Sequence, residues 1–437
     1  MDQPMKIAVV GCGVSGLVAA RLLSANHNVT LFESSNYPGG HANTVECKAF
    51  GKTFVVDTGF MVFNTNTYPN FCQLLKQLDV RTQESDMSFS VACPQTGFEY
   101  QGSSLNGLFA QRLNLLKPSF YGMLADIVRF NRNARRFVEQ DHVDLSVKEF
   151  LQQDGYKPAF CRNYLTPMAA AIWSSQPGQI LDFPARFLLE FMHNHGLLQL
   201  SRRPRWKTIC GGSRTYISKL LGPLEKHLYL NTPIQKIIRH PEQVVIQPVH
   251  GPEYCFDRAV VATHADQALR LLDSPTDLER KTLSSFPYQT NEAFLHTDIS
   301  QMPRRKAAWA SWNYQLGGKD NPPASVTYNL SQLQRLDSPS PLMITLNPNT
   351  PIKDNAILQR FEYRHPLFSH ASIRAQQNQK ELNGRQHTYF CGAYWHNGFH
   401  EDGVVSALNV AGLFGLGLDS CRAAYTKAKS HTTDCAQ

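Results

Sequence analysis

Gly11, Gly13 and Gly16 stand at G-x-G-x-x-G spacing, after the apolar run Ile7 to Val10 and before an alanine- and leucine-rich stretch through Leu23. These residues can hold a phosphate without a charged side chain. Gly11 permits a tight turn, Gly13 lets the backbone approach a pyrophosphate, and Gly16 allows a helix to pack closely on its strand. Val14 and Ser15 open that helix, so its N-terminus faces the anion. A second strand-like run, Val29 to Phe32, ends at Glu33, with Ser34 beside it. An acid about twenty residues after the glycines accepts hydrogen bonds from a ribose diol. Strand, glycine triplet, helix, strand and acid together predict a dinucleotide site.

A second glycine pair, Gly39 and Gly40, follows in E-S-S-N-Y-P-G-G-H. In nicotinamide dehydrogenases the chain usually runs from the acid straight into the next helix. The pair resembles flavoproteins of the glutathione-reductase type, in which such a loop closes over the flavin side of the dinucleotide. The resemblance therefore implies FAD rather than NAD. Related amine oxidases carry arginine where this chain has His41. A neutral imidazole offers one donor and no fixed charge, so a weaker or pH-sensitive pyrophosphate contact is expected. By the same resemblance Asp57 to Phe60, with Thr58, Gly59 and Phe60, passes beside the isoalloxazine; a buried strand with a turn at Thr58–Gly59 fits the local sequence equally well.

Further along, short alternating strands end in the apolar run from Ala259, closed by Ala262 and Thr263. The resemblance puts Ile234 near adenine and Ala262 near the cofactor, and makes Gly211 to Leu221 a helix returning to the cofactor domain. The stretch TYFCGAYWHNGFHEDGVVSALNVAGLFGL reads as strand, glycine turn, polar loop and long helix. Its Gly392 and Ala393 follow the strand, and an acidic residue is usual where Ala393 stands. Backbone N–H groups near Gly403 and Val404 are expected to stabilise negative charge on reduced flavin. Glu401 and Asp402 are expected to cap the helix, with Asp402 a plain N-cap in the alternative reading.

Taken together, GGHANT, VDTGFMVFN, RPRWKTICGGSRTYI and FCGAYWHNGFHEDG resemble one bacterial subgroup of the flavin-containing amine oxidase superfamily. The same pattern is similar to the N-terminal half of plant cyclopropane-fatty-acid synthases. The resemblance spans essentially the whole chain. It implies an α/β fold: a Rossmann-like FAD-binding domain of glutathione-reductase type with an inserted α+β substrate domain. The cofactor domain is expected from residues 1–85, 205–275 and 385–425, the substrate domain from 86–204 and 276–384, and a C-terminal tail from 426–437.

The 437 residues are 42% apolar and 18% charged, with a net charge of +8, an ordinary globular balance that demands no nucleic acid. The ten cysteines form no C-x-x-C pair, so no metal site is expected. His193 and His195 fall on different helix faces and do not change that. The sequence opens on a strand-like run with no charged-then-apolar leader, and Val404 to Leu418 is too short to span a bilayer. The expected location is the cytoplasm, with peripheral contact at the inner membrane face as the finer expectation. That contact rests on Arg112, Lys117, Arg129, Arg132, Arg135 and Arg136, which alternate with apolar residues at helical spacing. Two ordinary surface helices with solvated arginines fit the same pattern.

Trp173, Phe183, Phe187, Phe191 and Met192 either line an acyl tunnel or pack a core. No residue stands out as the catalytic acid or base. The resemblance implies noncovalent FAD and an FAD-dependent oxidoreductase acting on an apolar small molecule or lipid, an acyl chain of a membrane phospholipid, by hydride transfer at flavin N5. Two alternatives stand beside it: an amine oxidase that uses oxygen, and a non-turnover FAD-binding partner of a lipid methyltransferase.

Overall fold

A computed structural model describes residues 3–139, 144–199, 204–317 and 324–419; the expected tail at 426–437 lies outside them. Five parallel strands form a sheet in the order Leu228–Tyr229, Asn28–Phe32, Lys6–Val10, Arg258–Val261, Thr388–Phe390. The central strand is apolar on both sides because both sides are covered, as parallel sheets require. Ile7 and Val9 join a core with helices Val14–Leu23 and His400–Gly412. Ala8 and Val10 point the other way, into a core with the antiparallel strands Ile234–Arg239, Val244–Pro248 and Tyr254–Phe256. This is the Rossmann-like half.

The other half is a seven-stranded sheet, in the order Ile357–Pro366, Tyr288–His296, Met343–Leu346, Ser325–Asn329, Trp312–Gln315, Phe89–Cys93, Phe98–Gln101. Its pairings are antiparallel except Trp312–Gln315 with Phe89–Cys93. Helices Pro118–Glu139, Val147–Gln153, Thr166–Trp173 and Ala185–Asn194 share its core. Strands of the parallel sheet thus come from three separated stretches of sequence, with the other half threaded between them.

Two devices join the halves. Asp57, at the end of the hairpin Thr44–Ala49/Lys52–Asp57, accepts from the Ser213 N–H and hydroxyl (2.9 and 2.7 Å), from Thr44 (2.6 Å) and from Gln334 (3.2 Å). Burial still drives its carboxyl above the usual range. Tyr363, from the long edge strand Ile357–Pro366, hydrogen-bonds Thr58 (2.7 Å) and Asn43 (3.1 Å). Among the described residues no helix is long and apolar enough to cross a membrane.

Candidate flavin site

The glycines build a cradle from backbone alone. Gly11 has φ +98°, and a Cβ there would sit 2.9 Å from the Ala262 carbonyl oxygen. At Gly16 it would fall 1.9 Å from the Gly11 carbonyl and 3.0 Å from the Ala262 side chain. Ala262 is itself fixed by its N–H to Val10 (2.8 Å). Gly13 is different: a Cβ there would meet nothing within 4 Å. The first two positions are glycine because the protein fills the space, the third because something else must.

Gly39, whose N–H donates to the Cys12 carbonyl (2.8 Å), bridges directly to Gly13. Gly40 follows at φ +58°. Gly59 closes the loop from below, since a Cβ there would lie 2.1 Å from the His41 carbonyl. Glu33 braces the turn: one oxygen accepts from Cys12 N–H (2.8 Å), the other from Ser35 N–H (2.9 Å) and the Ser34 hydroxyl (3.2 Å). A carboxylate accepting three hydrogen bonds keeps capacity for a further hydroxyl donor. The segment leading into Ile234 lies alongside, with Thr232 N–H on the Glu33 carbonyl (2.8 Å).

Beside the glycine pair stands a group of imidazoles drawn from distant parts of the chain. The His41 ring lies 5.7 Å from His264, 5.3 Å from His365 and 5.2 Å from Tyr363. His264 stacks on Tyr288 at 4.4 Å, and His365 Nδ1 faces the Asn291 amide at 2.9 Å. Burial lowers all three, to about 3 for His264 and His365, with the neighbouring rings lowering those two further. They are neutral at physiological pH. His41 Nε2 and His264 Nδ1 are buried without a hydrogen-bond partner. Open space at Gly13 and orphaned imidazole nitrogens beside Gly40 fit an anionic dinucleotide; Gly11–Gly16, Gly39–His41 and Glu33 would hold it.

The last helix begins at His400, not at Gly403, which corrects where its free donors lie. Gly403 N–H already donates to the Phe399 carbonyl (3.1 Å), and Val404 is fully buried in the core. The unused N–H groups of a helix belong to its first turn, here His400 to Asp402. Gly403 serves packing instead: a Cβ there would fall 2.7 Å from Val14 Cγ1 and 2.9 Å from Ser15 Oγ. The small Ala393 occupies the same corner, and Gly392 N–H is held by Ser406 Oγ (3.0 Å).

The two acids divide their work. Asp402 is not the N-cap; it sits one turn inside and accepts from Phe399 N–H (2.8 Å). Burial pushes its carboxyl up to about 7. Glu401 reaches to another helix, Pro69–Gln77, accepting from Asn70 N–H (3.0 Å), the Asn70 amide (2.7 Å) and Phe71 N–H (2.9 Å). His400 stacks face to face on Phe60 at 3.6 Å and meets the Tyr216 hydroxyl at 2.6 Å.

From this helix start an aromatic wall runs into the other half. Phe399 contacts Phe191 (4.9 Å), Phe191 contacts Trp173 (4.8 Å), Trp173 contacts Phe187 (5.6 Å) and Phe187 contacts Phe368 (4.9 Å). Trp173 Nε1 is satisfied by the Asn397 carbonyl (3.1 Å). Phe183 and Met192 are buried core behind it. His195 stacks on Phe191 at 3.8 Å and is a member of the wall.

His264, His365, Tyr363 and His400 escape a reading of the sequence. The edge strand carries the one usable signal, since Phe361, Tyr363 and His365 alternate onto a single face. Among the described residues no group of acids, cysteines and histidines has the makings of a metal site.

Comparison with known proteins agrees with this geometry. A family model described as flavin containing amine oxidoreductase matches residues 14–318. The 4,4'-diapophytoene desaturase of Staphylococcus aureus (strain Newman) is 31% identical over 146 residues, 30% of this chain and 27% of that protein. The match thus spans about a quarter of the curated relative's length. Among solved structures, a CLA-producing fatty acid isomerase from P. acnes has a TM-score of 0.65 at 15% identity, covering 95% of this chain and 99% of that one. Cyclohexylamine oxidase from Brevibacterium oxydans has a TM-score of 0.66 at 12% identity, covering 94% and 100%. At such identities the likeness is one of fold. The family match covers well over half of the sequence, so the chain belongs to the flavin containing amine oxidoreductase family, and its chemistry is flavin-dependent oxidation and reduction.

Proposed function

We propose that this chain is an FAD-dependent oxidoreductase that holds its cofactor noncovalently and acts on an apolar substrate, an acyl chain of a membrane phospholipid. The observation that carries the reading is the continuous aromatic series from Phe399 through Phe191, Trp173 and Phe187 to Phe368, which runs from the start of the last helix into the other half. Phe191, Trp173 and Phe368 are buried and Phe187 and Phe399 half-buried, so the series supports the reading as an apolar, water-excluding flank beside the start of the last helix. The names of similar proteins divide, the desaturase and the fatty acid isomerase standing beside cyclohexylamine oxidase, so they do not choose the substrate.

When bound, a flavin supplies two-electron chemistry by taking or returning hydride at N5. The residues of the chain do the rest. Glu33 and the glycines bind and orient the dinucleotide. The first turn from His400 faces the site with free N–H donors, which favour negative charge. Neutral His41, His264 and His365 offer lone pairs and N–H groups without adding cationic charge. Burial pushes the Cys391 thiol up to about 12 and raises Cys12 as well, so neither supplies the thiolate that covalent attachment needs.

Amine oxidation with electrons passed to oxygen is the second reading, favoured by the family match. The two separate anaerobically. Phospholipid vesicles are expected to bleach the flavin's visible absorbance while a panel of amines leaves it unchanged. Bleaching by an amine alone contradicts the acyl reading. Bleaching only after addition of a lipid methyltransferase assigns the chain a partner's role. Denaturation is expected to release the flavin from the chain intact as FAD.

A further inference from the structure

Leu105, Leu113, Leu115, Leu116, Tyr121 and Val128 are six of the twelve exposed large apolar side chains among the described residues, gathered in one short stretch. Leu105 is 77% exposed, Leu113 64% and Leu116 82%. Isolated apolar side chains on a surface need no explanation, but a contiguous patch of this kind marks a contact face. The patch is also preformed. The turn Arg112–Leu116 buries Asn114 and turns its leucines outward. Arg112 fastens it to the preceding helix through the Phe109 carbonyl (2.9 Å) and Asn106 (2.6 Å).

Helix Pro118–Glu139 continues the face. Its inner side packs Phe120, Met123, Phe130 and Ala134 into the core. Its outer side repeats at three- and four-residue steps: Tyr121, Ala125 and Val128, then Arg132 and Arg135 with Arg136 beside it, all exposed. The apolar half adjoins the leucine turn and the basic half follows one turn later. Arg129 does not belong to this face, because it is turned inward to Asp126 (2.9 Å) and over the Tyr156 ring (4.4 Å). Among the described residues no carboxylate pairs with Arg112, Lys117, Arg132, Arg135 or Arg136, and Glu139 is the one exposed acid at the end of the helix.

We infer that this face docks on an anionic bilayer, with the leucine turn and Tyr121 in the acyl boundary and Arg132, Arg135 and Arg136 at the phosphates. The dimensions suit it. One helical turn, about 5–6 Å, separates Val128 from Arg132, comparable with the roughly 5–10 Å to which interfacial helices bury their apolar side. Lys117 and Arg112 flank the leucines as a second pair of headgroup contacts. A second copy of the chain is the poorer occupant, because two such faces brought together oppose arginine to arginine.

The test is flotation of the flavin-loaded full chain with vesicles, a readout independent of any substrate. The chain is expected to float with phosphatidylcholine–phosphatidylglycerol vesicles about tenfold more than with phosphatidylcholine alone, the preference falling as salt rises. The double variant Leu113→Asp, Leu116→Asp is expected to lose flotation while its thermal melt and flavin content match the parent, since both side chains are exposed. Arg132→Glu with Arg135→Glu is expected to abolish the preference for anionic lipid. Failure to float with anionic vesicles, or flotation unaffected by the leucine substitutions, overturns the inference. A concentration-dependent dimer in sedimentation velocity that Leu116→Asp dissociates, without vesicle binding, gives the face to a second copy instead.

Discussion

The glycine cradle and the aromatic wall both reach the first turn of the last helix, and they are specified in opposite ways. In the cradle, position is set by backbone against backbone: the Cβ of any other residue at Gly16 or Gly59 would overlap a carbonyl oxygen. In the wall, position is set by ring volume, at centroid separations of 4.8 to 6.2 Å from Trp173 to its neighbours. A backbone site admits one solution and a volume site admits several. The cradle is therefore fixed residue by residue, and the wall is where side chains can be exchanged while the fold is retained.

The sharpest way to break this contrast is at Gly16. Gly16→Ala forces a Cβ to 1.9 Å from the Gly11 oxygen, and is expected to cost at least about 4 kcal/mol and to abolish soluble folded protein. Urea unfolding of whatever is recovered checks it. Phe191→Ala removes the ring between Trp173 and Phe399 and is expected to cost about 3–4 kcal/mol, whereas Phe191→Leu is expected to stay under about 1.5 kcal/mol. Equal costs for the two would contradict a wall specified by volume.

Glu401 lies where the regions meet. Glu401→Ala strands Asn70 and Phe71 N–H groups and is expected to lose about 2 kcal/mol in denaturant melts. The last effect is in pH. His264, His365 and His400 are held at about 3 in the fold, below their unfolded value of 6.5. Their stabilising effect is full above pH 6.5 and declines below it, because the unfolded chain takes up protons the fold refuses. Asp402 runs the other way, its carboxyl raised to about 7 so that its contribution falls as pH climbs from about 4. The lowered imidazoles, with His41, His195 and His296 among them, outnumber the raised carboxyls Asp57 and Asp402, so thermal stability is expected to rise from pH 5 to 7. His264→Phe is expected to flatten that slope by about 1.4 kcal/mol per pH unit.

How much of this is legible in sequence follows the same division. Gly11, Gly13, Gly16 and Glu33 are close in the chain and stand at a recognisable spacing, so the cradle can be read directly. The strand run from Ile7 to Val10 is apolar throughout because both faces are covered, which also announces a parallel sheet. The imidazole group is hidden, because His41, His264 and His365 come from three separate stretches and a lone histidine carries no pattern. Aromatics at Trp173, Phe187 and Phe191 are legible as buried but not as a wall, since Phe368 and Phe399 join them only in the fold. In the sequence HEDG reads as a cap at Asp402, three residues late, because Phe399, the actual boundary, offers no capping side chain.

The most direct test of the central claim uses Gly13→Ala, because a Cβ at that position meets nothing within 4 Å in the protein itself. The measurement is paired: thermal unfolding of the cofactor-free variant, and its affinity for FAD by quenching of flavin fluorescence. The account predicts a melting temperature equal to or slightly above that of the parent, with FAD binding weakened about a hundredfold or more, roughly 2.7 kcal/mol. A variant that folds normally and binds FAD as the parent does would contradict the assignment of this cradle to the cofactor.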